Sequence, residues 1–515
     1  MKNSRLFFII VPLAVLALGM IGYCGYLGQN GYEGLLSSLK LLKVELGGVT
    51  GNWFVEAARW LGIVFYFSLL YAIASAIFDA VRLFASVRRK DSVAVHGDSQ
   101  MARFCAKSIH DGKHCVHSDN RESFRARKQI IWFEDDVKAM DFYDENRSLL
   151  ANDEVYIALN TIPTDATNEA HIHFFNINEN IAADYWGKHF VVEPKKIVMI
   201  GSGALAEEML DQALLINVYS KIGKIKYHII GNFDIYRAMH PQLSRAVDLT
   251  QDELTFSNAP WHSQMDEISS ADRVILTGSA ADNTEIARLL LNYGLNAELH
   301  LAAESDETRR FFENDNRTLV FGTLKETIGK DGEGLFQDGV HRDGKLFDAM
   351  YSLLSGVIND ENKNVDSVFS TICSKTKQKF IDGNTEWSKH SGFIKRSNYL
   401  AAKHGAVKKC ILQNTFEESG MEMSADEFIR SGVENAFKFW YAPENKAVVE
   451  ELEEIEHLRW WRLYLLNNFT YNENVKREDR WRLRQNKNMK AYNELDEQTR
   501  RYDGIHYWLL ALTAE

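Results

Sequence analysis

From Lys196 to Phe321 the chain repeats one rhythm: a short apolar run, a turn, then a stretch long enough for a few helical turns. The runs start at Lys196, Ile225, Leu254, Arg273, Glu298 and Thr318. Runs this short and apolar read as strands buried on both faces, and strands alternating with helices imply right-handed crossovers and a parallel sheet. The first run ends in Gly201 and Gly203, and a helix-forming segment from Ala204 to Leu215 follows at once. Gly201, Gly203 and Ala206 have the GxGxxA spacing. The first glycine allows the tight turn, the second lets a pyrophosphate approach the backbone, and the helix points its free N–H groups at the anion. Asn232 or Asp234, just past the second strand, falls where a ribose is held. The same turn can also be a strand-to-helix corner with no ligand.

A weaker copy precedes it. Ser92 to His96 leads into Gly97, with Ser99 in place of the second glycine and a helix to about Ile109. A serine still permits close approach and can itself hydrogen-bond phosphate. The strand around His114 to His117 ends near Asp119, an acid suited to a ribose. Strands at Gln129 to Phe133, Glu154 to Leu159 and His171 to Phe175 complete a first sheet. The candidate cofactor-binding residues are thus Gly97, Ser99, Asp119, Gly201, Gly203, Ala206 and Asn232. His110, His114, Cys115 and His117 cluster in sequence. However, His114 and Cys115 are neighbours and point to opposite faces of a strand, and no second ligand group with zinc spacing follows, so no metal site is expected. Neither glycine turn has a nucleophile beside a base or a paired acid and base, so no catalytic residue is expected and the chain is not read as an enzyme.

Two runs nearer the amino terminus, Leu6 to Tyr26 and Trp60 to Phe78, are each long and apolar enough to cross a bilayer. A cleaved signal peptide fits poorly: no small-x-small site follows the first run, and Tyr23 spoils a lipobox before Cys24. Lys2 and Arg5 precede the first span, and Arg82, Arg88, Arg89 and Lys90 follow the second. This charge bias places both termini in the cytoplasm, with a short loop outside. Between the spans, Leu35, Leu36, Leu39, Leu42 and Leu46 form an amphipathic piece ahead of Gly47 to Gly51. Span, short helix, glycine-rich loop, span is the order of a minimal cation-channel pore, but the TVGYG filter is absent. A re-entrant pore and an interfacial outer helix both remain open. A formal net charge of -12 argues against nucleic acid as a partner. Five cysteines without a CxxC pair make the soluble part a reduced, cytosolic one.

Gly329 to Gly334, glycine-rich and charged, marks a boundary, and the pattern beyond it is helical from Phe347 to Ile358 onward. Two passages stand out there: Trp387 to His404, and Glu453 to Trp460 followed by Asn468 to Tyr471, Tyr492 to Leu495, and Tyr502 with Asp503. On a helix Glu456, Arg459, Trp460 and Leu463 share one side. They form either an ion pair presenting an aromatic face or a brace inside a bundle.

Two spans feeding two tandem glycine-turn units resemble the TrkA-N, or regulator-of-potassium-conductance (RCK), proteins. The segments Ile275 to Asn283 and Glu285 to Leu290 are similar to that family's fourth strand and following helix. The resemblance covers roughly residues 6–325. It implies a ligand-gating assembly, usually homo-oligomeric, with NAD(H) or another adenine nucleotide as candidate ligand. Ser99 and the missing filter are departures from the family pattern. Glu456-His457-Leu458-Arg459-Trp460, Phe469-Thr470-Tyr471, Tyr492 to Leu495 and Arg501-Tyr502-Asp503 resemble the Ry domain repeated in ryanodine receptors. Asn468 replaces a usual glycine, and the proline before Tyr492 is missing. That resemblance implies a small-molecule sensor, in bacteria sometimes part of phage-defence signalling, with Asn398, Glu456, His457, Arg459, Trp460, Tyr471 and Asp503 as ligand-binding candidates.

The expected fold class is a membrane α region of two transmembrane helices (1–90), tandem Rossmann-like α/β units (91–190, degenerate, and 191–328), and a mainly α-helical RyR-like domain (335–515). The expected function is a ligand-responsive ion channel or channel-like effector of the inner membrane. Its partners would be a nucleotide-like small molecule, the lipid bilayer and further copies of itself. A membrane-anchored scaffold docking on a separate potassium transporter is the alternative. An NAD-dependent enzyme is a third, and it lacks the acid and base it would need.

Overall fold

The computed structural model describes the chain except for Met1 and residues 44–50, 88–91, 111–114, 119–125, 163–170, 330–341, 360–367, 369, 373, 374, 376, 514 and 515. Asp119, His114, most of the glycine-rich outer loop, the basic stop at 88–90 and the boundary after Gly329 therefore lie outside the described residues. Two compact units result, Met1–Arg89 and Lys90–Glu515.

The first unit contains α1 (Lys2–Met20), which continues into a π-helical turn at Ile21–Tyr26, then α2 (Gly31–Leu42) and α3 (Trp53–Val87). Asn30 starts α2 by accepting the Glu33 N–H at 2.9 Å. Leu35, Leu36 and Leu39 are exposed, whereas Gly34, Ser38 and Leu41 are buried, so two small residues and one leucine make the helix contacts of α2. The approach is close: a Cβ at Gly62 of α3 would stand 2.4 Å from the Leu41 carbonyl oxygen. Two spans are predicted from the sequence. Among the described residues, one helix, Trp53–Ala74, is long and apolar enough to cross a membrane. The first predicted span is present as the shorter apolar helix Ile10–Tyr26, whose last turn leaves α-helical spacing around Gly22 and Gly25.

The second unit is built on two parallel sheets. The first pairs β1 (Val93–His96), β2 (Cys115–Ser118), β3 (Lys128–Ile131), β4 (Glu154–Ala158) and β5 (Ile172–Phe175) in the order β2-β1-β3-β4-β5. Helices α4 (Gln100–His110) and α5 (Asp136–Leu150) belong to this sheet, and their buried side chains fall in separate core clusters. The second sheet comprises β6 (Lys196–Ile200), β7 (Lys226–Ile230), β8 (Glu253–Ser257), β9 (Arg273–Leu276), β10 (Glu298–Ala302) and β11 (Thr318–Phe321). Its order, β11-β10-β9-β6-β7-β8, reverses direction between β6 and β9 and is the doubly wound arrangement of a Rossmann unit.

The two sheets exchange helices. After β5 the chain enters α6 (Ile177–Lys188), whose Ile181, Ala182, Tyr185 and Trp186 join the core of the second sheet; the Trp186 indole donates to the Met209 carbonyl at 2.8 Å. After β11, α12 (Leu324–Ile328) returns to the first sheet, and Leu324 and Ile328 pack with Ala102 and Ile109 of α4. Thr323 caps α12, and Gly329, with φ +74°, ends it.

The carboxyl-terminal third is helical, including α13 (Arg342–Asn359), α14 (Lys377–Gly383), α15 (Gly392–Lys403), α16 (Gly405–Glu418), α17 (Ala425–Arg430), α18 (Val433–Tyr441) and the long α19 (Lys446–Leu466). A two-stranded ladder (Thr470–Tyr471 with Gln485–Asn486) and α20 (Glu497–Trp508) follow. Among the described residues one apolar cluster runs from Ile197, Leu210 and Ile229 of the second sheet layer to Leu412, Leu463 and Trp508.

Candidate functional site

Strand β6 ends at the point where the order of the second sheet reverses, and the crevice there is the usual ligand position of an open α/β sheet. Gly201 turns with φ +144°, and a Cβ on it would fall 2.5 Å from the Thr277 hydroxyl and 2.7 Å from the Gly278 nitrogen. No other residue fits between β6 and β9. Gly203 has φ +93° and ψ −175°, a conformation few side-chain-bearing residues adopt, and space lies open around its missing Cβ. It precedes α7 (Ala204–Ile216), and among the described residues no side chain caps that helix, which leaves its first N–H groups available to an anion. Ala206 is fully buried and lets α7 pack on the sheet.

Beside the turn opens a cleft of about 450 Å³ lined by Gly201, Ser202, Trp261, Gly278, Asp282 and Asn283, among others. On the other side of the turn, at the end of β7, Asn232 is exposed and accepts the Asp234 N–H at 3.0 Å. Gly201, Gly203 and Asn232 thus gather at one sheet edge, while Asp234 sits at the start of a short helix. Asn283 lies within a segment matched to the fourth strand and its helix, yet its role was not readable: that role depends on where the carbonyls of Gly278 and Ala302 fall in space.

The first glycine turn makes an equally close approach to the neighbouring strand. Gly97 has φ +144°, and a Cβ there would collide with the Trp132 carbonyl oxygen at 1.9 Å. Ser99 is buried; its hydroxyl donates to that carbonyl at 2.9 Å and accepts the Ala102 N–H at 2.9 Å. It caps α4. The His117 ring lies 3.2 Å from the Gly97 carbonyl, on the side where a ribose would sit. Among the described residues, no group of three His, Cys, Asp or Glu side chains is placed to hold a metal ion.

The candidates in the carboxyl-terminal third do not form one surface. Glu456 and Arg459 are buried completely, with Arg459 donating to Glu456 at 2.6 and 3.0 Å. Lys408 approaches the same carboxylate to 3.2 Å and His506 to 2.9 Å. Burial alone would raise the Glu456 carboxyl; Arg459, His506 and Lys408 outweigh it and hold it well below the usual range. Burial pulls Lys408 down to about 8 against the pull of Glu456. The pair braces the helix from inside, and Leu458, Trp460 and Trp461 beside it are part-exposed. His457 stacks on Trp460 with ring centroids 5.5 Å apart, donates from Nε2 to the Lys490 carbonyl at 2.9 Å, and places Nδ1 3.4 Å from the Asp503 carboxylate. Asn398 donates to Asp348 at 2.8 Å, and Tyr471 is exposed and bonded to Glu473. Glu453 is buried and accepts from the Trp440 indole at 2.7 Å and the Tyr492 hydroxyl at 2.6 Å.

The fold and the open turn together define a class: paired Rossmann-like parallel-sheet units with a helical carboxyl-terminal region. No protein-family model and no curated protein matches the chain. Among solved structures it is similar to GsuK bound to ADP, at 13% identity over 62% of this chain and 95% of that one, with a TM-score of 0.31. A GsuK point mutant aligns at 12% identity over 66% and 98%, with a TM-score of 0.34.

Proposed function

We propose that the chain is a membrane-associated regulatory protein in which a nucleotide-like ligand binds at Gly201 and Gly203 and controls ion flow through a pore or channel-like assembly of the amino-terminal helices. The observation that carries this reading is the uncapped α7 N-terminus at the sheet's reversal point, next to an open cleft. An adenine nucleotide is the preferred ligand chemistry, and a homo-oligomer in a bacterial inner membrane is the preferred setting. The exposed apolar side chains Trp60, Phe67, Tyr71 and Phe78 on α3 support contact with lipid. A gating shift of two decades requires the ligand to prefer one state by roughly 2.7 kcal/mol, within reach of a few phosphate contacts.

A second reading, an anchored scaffold that docks on a separate potassium transporter, is favoured by the single long apolar helix among the described residues. Ion flux from liposomes containing the purified chain, with and without ADP or NAD, tests the proposal. Nucleotide-dependent flux supports a pore; nucleotide binding without flux at any concentration supports the scaffold; absence of both removes the sensor reading.

A further inference from the structure

The cleft beside the glycine turn has two chemically different ends. At the α7 end the free N–H groups and the helix dipole favour negative charge. At the β9 end, α11 (Ala280–Asn292) is capped by its own Ser279, whose hydroxyl accepts the Asp282 N–H at 3.2 Å and donates to the Asp282 carboxylate at 2.7 Å. Asp282 and Glu285 line the cleft on this side and disfavour phosphate.

In the first turn of α11, next to Asp282, lies Asn283, only 1% exposed. Its amide nitrogen donates to the carbonyls of Gly278 and Ala302, both at 2.9 Å, and this fixes which amide atom is oxygen, because a carbonyl must meet a donor. The Asn283 Oδ1 is left with no hydrogen-bond partner among the described residues, and the residue lines the cleft. A buried acceptor without a donor is costly, so the position calls for an N–H or O–H from whatever fills the space. Trp261, part-exposed, supplies an apolar wall to the same cleft.

We infer that Asn283 is a specificity-determining residue for a ligand that extends beyond its diphosphate. The phosphates lie over Gly203 and the start of α7, and an uncharged group bearing N–H or O–H donors continues into the cleft and donates to Asn283 Oδ1. The inference rests on the nucleotide reading of the glycine turn, and it goes further by separating a bare nucleoside diphosphate from an extended one.

Calorimetric titration of the full chain in detergent with ADP, ADP-ribose and NAD tests it, since the last two lengthen the diphosphate with donor-bearing groups. The expected result is that ADP-ribose, NAD or both bind about tenfold or more tighter than ADP. Gly278→Ala places a Cβ 3.3 Å from Asn283 Oδ1 and should collapse that ratio to within about twofold. Equal affinity for all three ligands in the unaltered protein, or an unchanged ratio in Gly278→Ala, overturns the inference and leaves nucleotide binding standing. Failure of all three to bind a protein that still melts cooperatively overturns the nucleotide reading, and this inference with it.

Discussion

Arg462 and Asp252, 210 residues apart in the chain, meet at 3.1 Å with both side chains fully buried. The guanidinium also donates to the carbonyls of Leu214 at 2.9 Å and Ala246 at 2.8 Å, and to the Thr250 hydroxyl. Asp252 in turn accepts the Ile225 N–H at 2.8 Å and the Thr250 hydroxyl at 2.6 Å, which holds the turn ahead of β7. Leu214 lies in the last turn of α7, the helix whose first turn faces the open cleft. One rod of about 20 Å therefore joins the proposed anion site to α19, the helix that carries Glu456 and Arg459.

Arg462→Met should be among the most damaging single changes in the second unit. It leaves Asp252 as a buried charge without its cation and strips donors from several carbonyls, a loss of about 3–5 kcal/mol. Urea unfolding measures it. Pairing it with Asp252→Asn should cost less than the two single changes summed, because the second change removes the stranded charge. Strict additivity would show that the ion pair is not the source of the stability.

Charge and strain can be separated at Gly203. Gly203→Ala and Gly203→Asp both force a side chain into φ +93°, a penalty of about 1–3 kcal/mol seen equally in their melting. Only the aspartate adds a negative charge where phosphate is expected. Gly203→Asp should therefore abolish ADP binding while Gly203→Ala retains a measurable fraction of it. Equal losses would mean that backbone shape, not charge, governs the site.

Ser99→Ala addresses the first turn. It removes both the cap on α4 and the bond to the Trp132 carbonyl, so stability should fall by about 1–2 kcal/mol. Affinity for ADP should not change. A drop in affinity would place ligand at Gly97 after all.

Glu453 predicts a pH dependence. Burial pushes its carboxyl up from 4.5 to about 7, even though the Trp440 and Tyr492 hydrogen bonds pull the other way. The folded state holds the proton more tightly than the unfolded chain, so the contribution is fully present below about pH 4.5 and is lost as pH rises through about 7. The amount is roughly 3 kcal/mol. Glu453→Gln, which mimics the protonated acid, should flatten that part of the stability-against-pH curve; an unaltered slope assigns it to other groups.

Local patterning was enough to locate the strands. The apolar runs at Lys196, Arg273 and Glu298 begin where β6, β9 and β10 begin, because buried parallel strands are written as short continuous apolar stretches between turns. The glycine turn was legible for a similar reason, since only glycine meets the close contacts at Gly201. Three-dimensional relations were not legible. The spacing of Glu456, Arg459 and Arg462 places them near one helix face but does not say that Arg462 reaches into the sheet layer. Ser99 looked like a tolerable stand-in for glycine because its hydroxyl direction depends on Trp132, more than thirty positions away. Asn283 became notable only once both of its donors were seen to be occupied.

The traded helices α6 and α12 set an order of events during synthesis. One side of the first sheet is sealed by Leu324 and Ile328, which leave the ribosome long after β5. Until then the apolar surface beside α4 on that side stays uncovered, so a chain halted near residue 190 should be a client for chaperones and not a finished module. Any attempt to dissect the protein at that point would cut through two interlaced halves.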